Sequence, residues 1–139
     1  MRSRRPTVYD LNVLGVSFYR AKAYDLAIVQ LEEAIRMAPE AVGIHFNLGG
    51  AYYGKDRLTD AEREFQRVLR LSPDHVRAHW FLGLCLERMG RLPEALAEFH
   101  WVRDHSTGTR EARSAQEEIE IINRTLNAND SGGSTRAQS

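Results

Sequence analysis

The chain has 139 residues, of which 19 are basic and 19 acidic, so its formal net charge is zero. A neutral chain has no global field drawing it to nucleic acid or an anionic membrane, and no apolar run approaches the ~20 residues that span a bilayer. Cys85 is the only cysteine, which excludes an internal disulfide framework and a multi-thiolate metal site.

In chain order, the basic opening MRSRRPTVYD lacks the apolar region of a secretory signal. Residues 1–6 are expected to be flexible, and a cytoplasmic location is the expectation. Leu11, Leu14, Gly15 and Phe18 then recur three and four residues apart, predicting a helix over 7–20 with one apolar face. A second helix is predicted over 24–37, carrying Ala27 and Leu31 and ending before Pro39, which cannot continue a helix. His45, Leu48, Gly49 and Tyr52 mark a third over 41–54, and Ala61 and Phe65 a fourth over 58–71, with Thr59 and Asp60 near its start. Beyond Pro73, Asp74 precedes a fifth helix over 75–89 with His79, Leu82, Gly83 and Leu86; Cys85 on it is expected to be buried. A sixth over 92–104 carries Ala95 and Phe99. After HSTGT, the spacing of Ala112, Ala115, Ile119, Ile122 and Leu126 predicts an amphipathic seventh helix suited to covering an open end. The closing NANDSGGSTRAQS has no apolar face, and residues 128–139 are expected to be disordered.

These elements repeat. Arg36, Pro39, Val42, His45, Leu48 and Gly49 return thirty-four residues on as Arg70, Pro73, Val76, His79, Leu82 and Gly83. A fixed period of this length indicates an array of supersecondary units. The columns follow W-x-x-L-G-x-x-Y, then A-x-x-x-F, then P, and in this the chain resembles the tetratricopeptide repeat family. It departs from the pattern at Leu11, His45 and His79, where the family favours Trp, and in lacking a proline after the third unit. The resemblance implies an all-α, right-handed superhelical α-solenoid over 7–127. It would consist of three antiparallel helix pairs, at about 8–41, 42–75 and 76–109, and a capping helix at about 109–127.

The resemblance also implies that the first helix of each pair lines a concave groove binding an extended peptide or an amphipathic helix. In this register the groove-facing residues are Tyr9, Asn12, Val16 and Tyr19, then Gly43, Phe46, Asn47, Gly50 and Tyr53, then Arg77, Trp80, Phe81 and Leu84. Val13, Arg20, Gly54, Glu87 and Arg88 fall in the same inward set. With Leu14, Leu48 and Leu82 assigned to the core, the apolar content of this set marks an interaction surface. Gly43, Gly50 and Gly54 share a helix face, each costing ~1 kcal/mol relative to alanine, and are read as a smooth groove floor, as close helix contact, or as mere tolerance in a marginal helix. Relatives that bind the acidic carboxyl terminus of heat-shock chaperones carry lysine and asparagine, then asparagine, then lysine and arginine. The matching positions hold Asn12 and Val16, Asn47, and Arg77 and Phe81. That clamp is therefore not expected, although Asn47 is suited to a peptide backbone and Arg77 to an acidic group.

No nucleophile with a base, phosphate loop or paired-carboxylate motif is recognisable, so neither catalysis nor a cofactor is expected. His75 and His79 have metal-compatible spacing but no evident third ligand, and His79 falls in a packing column. The expected role is a non-catalytic scaffold or adaptor for a protein or peptide partner, without nucleic acid or membrane insertion. The alternative is a homo-oligomeric assembly module using the same groove or the last helix.

Overall fold

The computed structural model describes the backbone of residues 4–138 and the side chains of residues 4–131. Among them are seven helices: α1 Val8–Arg20, α2 Tyr24–Met37, α3 Val42–Gly54, α4 Leu58–Leu71, α5 Val76–Arg88, α6 Leu92–His105 and α7 Arg110–Gln138. The bounds of the first six lie within one residue of those expected. Of the six residues expected to be flexible, 1–3 lie outside the described set, and residues 4–7 are exposed and non-helical.

Helix α1 begins at a capping box, in which Thr7 Oγ1 accepts from Asp10 N at 3.1 Å and Asp10 Oδ2 accepts from Thr7 N at 2.8 Å. Other helices start differently. Arg57 stands at the N-cap of α4 without a side-chain bond, and Asp60 lies in its first turn, where its charge suits the helix dipole. His75, rather than Asp74, caps α5, its Nδ1 accepting from Ala78 N at 3.1 Å. Burial, then the charges of Arg77 and His79, hold the His75 pKa below the ordinary value, favouring the neutral ring that such a bond needs.

Each helix pair turns in the same way. Lys22, Asp56 and Gly90 take left-handed φ values of 61°, 66° and 78°. The following amide reaches back to a carbonyl five residues earlier: Ala23 to Phe18, Arg57 to Tyr52, and Arg91 to Leu86. This is the Schellman arrangement, which satisfies carbonyls left free at a helix end. Gly15, Gly49 and Gly83 let the paired helices close. A Cβ there would lie 2.5 Å from Leu31, 2.8 Å from Phe65 or 2.7 Å from Phe99. The space a Cβ would take is thus filled by these large side chains of the partner helix. Phe65 and Phe99 are wholly buried, each worth ~1.5–3 kcal/mol of transfer free energy.

Consecutive helices pack along the whole chain, and α1 also touches α3, α3 touches α5, and α5 touches α7. No corresponding contact joins α2 to α4 or α4 to α6 among the described residues. The odd helices therefore form the tighter, inner layer of a curved stack, and the even helices spread on its outside.

Two features differ from the sequence reading. Leu14, assigned to the core, is 45 % exposed, because among the described residues no helix precedes α1 to cover it. Helix α7 buries Ala112, Ala115, Ile119 and Ile122 as expected, but it runs to Gln138 instead of ending near residue 127. No proline interrupts it, and a nucleated helix propagates one backbone bond per residue. Side chains 127–131 are all exposed, and of the expected disordered tail only Ser139 lies outside the described residues.

Candidate functional site

The inner layer holds a cleft of about 250 Å³ lined by Val16, Tyr19, Arg20, Phe46, Asn47, Gly50, Arg77 and Phe81. These residues come from α1, α3 and α5, one helix of each unit. Rings tied to one another form its floor. Phe46 meets Phe65 and Phe81 edge-on at 5.8 and 5.7 Å between centroids and stacks on His75 at 5.0 Å, while Phe81 stacks on Phe65 at 5.6 Å. Phe65 is itself wholly buried, so the floor is anchored in the core. The Arg77 guanidinium lies 5.0 Å above the Phe46 ring, within the range of a cation–π contact.

Gly50 lines the cleft beside Tyr19. A Cβ there would stand 3.5 Å from Tyr19, in ordinary contact, whereas one at Gly43 would meet nothing within 4 Å. Gly54 is different, since a Cβ would lie 2.3 Å from Tyr24, so it serves close helix contact. Gly50 thus lines the cleft, Gly54 serves close contact, and Gly43 does neither, which leaves it as a glycine the helix merely tolerates. Beside the cleft, Asn47 Nδ2 donates to Asn12 Oδ1 at 3.0 Å across α3 and α1. The pair keeps one amide acceptor on Asn47 and amide hydrogens on Asn12, a set that complements a peptide bond.

A second cleft of about 280 Å³ adjoins the first and shares Arg77 and Phe81 with it, adding Trp80 and, from α7, Arg110, Glu111 and Ser114. Of the residues expected at a groove, Val16, Tyr19, Phe46, Asn47, Gly50, Arg77 and Phe81 line the first cleft, Trp80 lines the second, and Asn12 joins through Asn47. Tyr9 is 75 % exposed on α1 but lines neither cleft, and neither do Gly43, Tyr53 or Leu84. Tyr53 instead packs edge-on against Phe81 at 6.0 Å beneath the Arg88 guanidinium, and Leu84 packs on the core. The contribution of α7 was missed from sequence. Its signal was available, for the period of thirty-four carries Arg77 to Glu111 and Trp80 to Ser114.

At the far end of the inner layer Glu87 of α5 is hydrogen-bonded to Glu118 of α7, and its pKa is pushed up to about 7, first by burial and then by the charge and hydrogen bond of Glu118. The histidines are used structurally. His79 Nδ1 lies 2.7 Å from Glu98 Oε2, and its Nε2 lies 2.8 Å from the Pro73 carbonyl. His45 repeats this with Glu64 at 2.6 Å and Pro39 at 2.7 Å. No group of three or more potential metal-ligating side chains occurs among the described residues. Cys85 is fully buried, and burial, followed by the Glu62 charge, pushes its thiol up to about 12, away from the reactive thiolate. Among the described residues, no helix is long and apolar enough to cross a membrane.

The sequence pattern described as Tetratricopeptide repeat matches residues 12–73 and 51–100. No curated protein matches the chain. Among solved structures, the chain is similar to the first such domain of Spaghetti (RPAP3) bound to the HSP90 peptide SRMEEVD, with 20% identity and a TM-score of 0.80 over 86% of this chain and 93% of that one. It is also similar to the type III secretion translocator chaperone SycD of Yersinia enterocolitica, with 14% identity and a TM-score of 0.81 over 86% of each chain. A mutant of MamA aligns at 30% identity with a TM-score of 0.69, over 73% of this chain and 74% of that one.

Proposed function

The chain belongs to the tetratricopeptide repeat family, and from that premise we propose that it is a non-catalytic scaffold whose inner groove binds a peptide or amphipathic helix of a partner protein. The observation that carries this reading is the ring-floored cleft formed jointly by α1, α3 and α5. A concave, mostly apolar site with a few placed polar groups is the usual form of a binding site. The Asn12–Asn47 pair at its edge adds hydrogen-bonding capacity matched to a peptide backbone. The similar domain of Spaghetti was solved with a peptide bound, which supports a peptide as the class of occupant. Its peptide is not carried over, because Val16 and Phe81 stand here where chaperone-tail binders place asparagine and arginine.

The test is retention of a random-sequence 12-residue peptide pool on immobilised protein, for wild type and Gly50→Leu. Leucine at this position fills the cleft with a neutral side chain while favouring the helix. Sequences retained by wild type and lost from Gly50→Leu are expected. Equal retention by both proteins, or none by either, would overturn groove binding.

A second reading, self-assembly, is favoured by the exposure of Leu14 on α1 and of Ile121 on α7, at 45 % each. It requires the sedimentation-equilibrium mass to rise with concentration and to fall back in Leu14→Gln or Ile121→Gln.

A further inference from the structure

The charged residues lining the first cleft are Arg20 and Arg77, with no carboxylate among the lining residues. In a chain with 19 basic and 19 acidic residues, that imbalance belongs to the site. Neither arginine has an acidic partner among the ion pairs of the described residues. Arg88 makes the contrast clear, for it holds the place of Arg20 two units later and is paired with Asp56. Asp56 comes from the turn of the preceding unit, and among the described residues no unit precedes that of Arg20 to supply such a group. Arg77 is oriented by the ring of Phe46 at 5.0 Å, which leaves its planar fork free for a carboxylate, the group that fork matches in two-point contact.

From this charge pattern we propose that the occupant is a peptide segment carrying an internal aspartate or glutamate beside a bulky apolar residue. The carboxylate is held between Arg20 and Arg77, and the apolar side chain rests on the rings of Phe46 and Phe81. The inference rests on the groove-binding reading above and names its partner class. An internal residue is favoured over a chain terminus because a second cleft shares Arg77 and Phe81 with the first, and its remaining charges, Arg110 and Glu111, balance, which offers the peptide a path onward.

The experiment uses three 12-residue pools on immobilised full-length protein. Two are acetylated and amidated, with central Glu-Leu or central Lys-Leu, and the third is free at its carboxyl end and has its only acid there. Wild type is expected to retain the Glu-Leu pool about tenfold over each of the others. Arg20→Glu and Arg77→Glu are each expected to lose about tenfold, a step of the size that one charge-assisted contact supplies. Arg20→Gln and Arg77→Gln serve as milder variants, with circular dichroism to verify folding. Binding to the capped pools irrespective of charge, or acidic binding unmoved by the arginine variants, would overturn this inference while leaving groove binding intact. A requirement for the free terminus would overturn the internal placement. Retention of no pool would overturn both readings.

Discussion

Leu14 and Leu48 hold the same position in successive units, yet Leu14 is 45 % exposed and Leu48 2 %. The difference is one of neighbours, since α3 has α2 packed against it from the preceding unit, while among the described residues no helix precedes α1. Leu48→Ala is expected to cost ~2–5 kcal/mol, the range for emptying a core leucine site. Leu14→Ala should cost less than about 1 kcal/mol, as surface changes do. Urea unfolding of both variants checks the pair, and equal losses would mean that Leu14 is covered in solution.

Gly50 and Gly83 face opposite consequences of gaining a methyl group. At Gly83 a Cβ would stand 2.7 Å from the ring of Phe99, which is wholly buried and has nowhere to move. Gly83→Ala should destabilise by ~1–3 kcal/mol through overpacking. At Gly50 the nearest atom is 3.5 Å away, so Gly50→Ala should stabilise by up to about 1 kcal/mol through helix propensity. Thermal melts that moved in the same direction for both would contradict this account.

His79 links stability to pH. Burial of the ring opposes its charge, but the Glu98 and Pro73 hydrogen bonds, with the charges of Glu98 and Asp74, outweigh burial and raise the pKa above its ordinary value of 6.5. Both ring nitrogens face acceptors, an arrangement fully satisfied only by the protonated ring. The folded state therefore binds the proton more tightly than the unfolded chain. The resulting stability is complete below pH 6.5 and lost as pH rises through the raised value. The melting temperature should fall over that interval less steeply in Glu98→Gln than in wild type, and parallel curves would refute the linkage.

Glu87 acts in the same direction through a different group. Its carboxyl is raised from 4.5 to about 7 by burial and by Glu118, so the folded protein holds a proton that the unfolded chain releases. This contribution is complete below pH 4.5 and lost as pH rises through about 7. Glu87→Gln should therefore gain stability relative to wild type between pH 5 and pH 8, measured as the difference in urea midpoints. An unchanged difference would remove Glu87 from the alkaline side of the stability profile.

The fold was legible because each unit repeats the same local instructions. A glycine sits where the next helix must approach, proline stands beyond the second helix in two of the three units, and apolar residues recur at helical spacing. End effects were less legible. Leu14 has the right residue for a core position but no neighbour to complete it, a property of its place in the array. The cleft was half legible, because the register selects the inner face but not which side chains on it point into shared space. Tyr53 and Leu84 satisfy the register and spend their surface on packing, whereas Ser114 enters the second cleft from a helix recognised only as a cap. His75 at the N-cap of α5 was hidden for another reason, since an imidazole nitrogen replaces the usual hydroxyl or carboxylate acceptor.

The unequal contacts of the two layers give the molecule a direction of easy deformation. Odd helices touch their odd neighbours, and even helices share no contacts with even ones among the described residues. Flexing that opens or tightens the arc changes outer gaps where the helix backbones do not meet and where the Arg91–Glu62 ion pair reaches across, while sliding the second pair along the third must disturb the rings of Phe46 and Phe65 packed on Phe81. The stack is accordingly easier to bend in its curvature than to shear along its helices, and proposed occupants of different girth would be met by a hinge-like adjustment that leaves each unit intact.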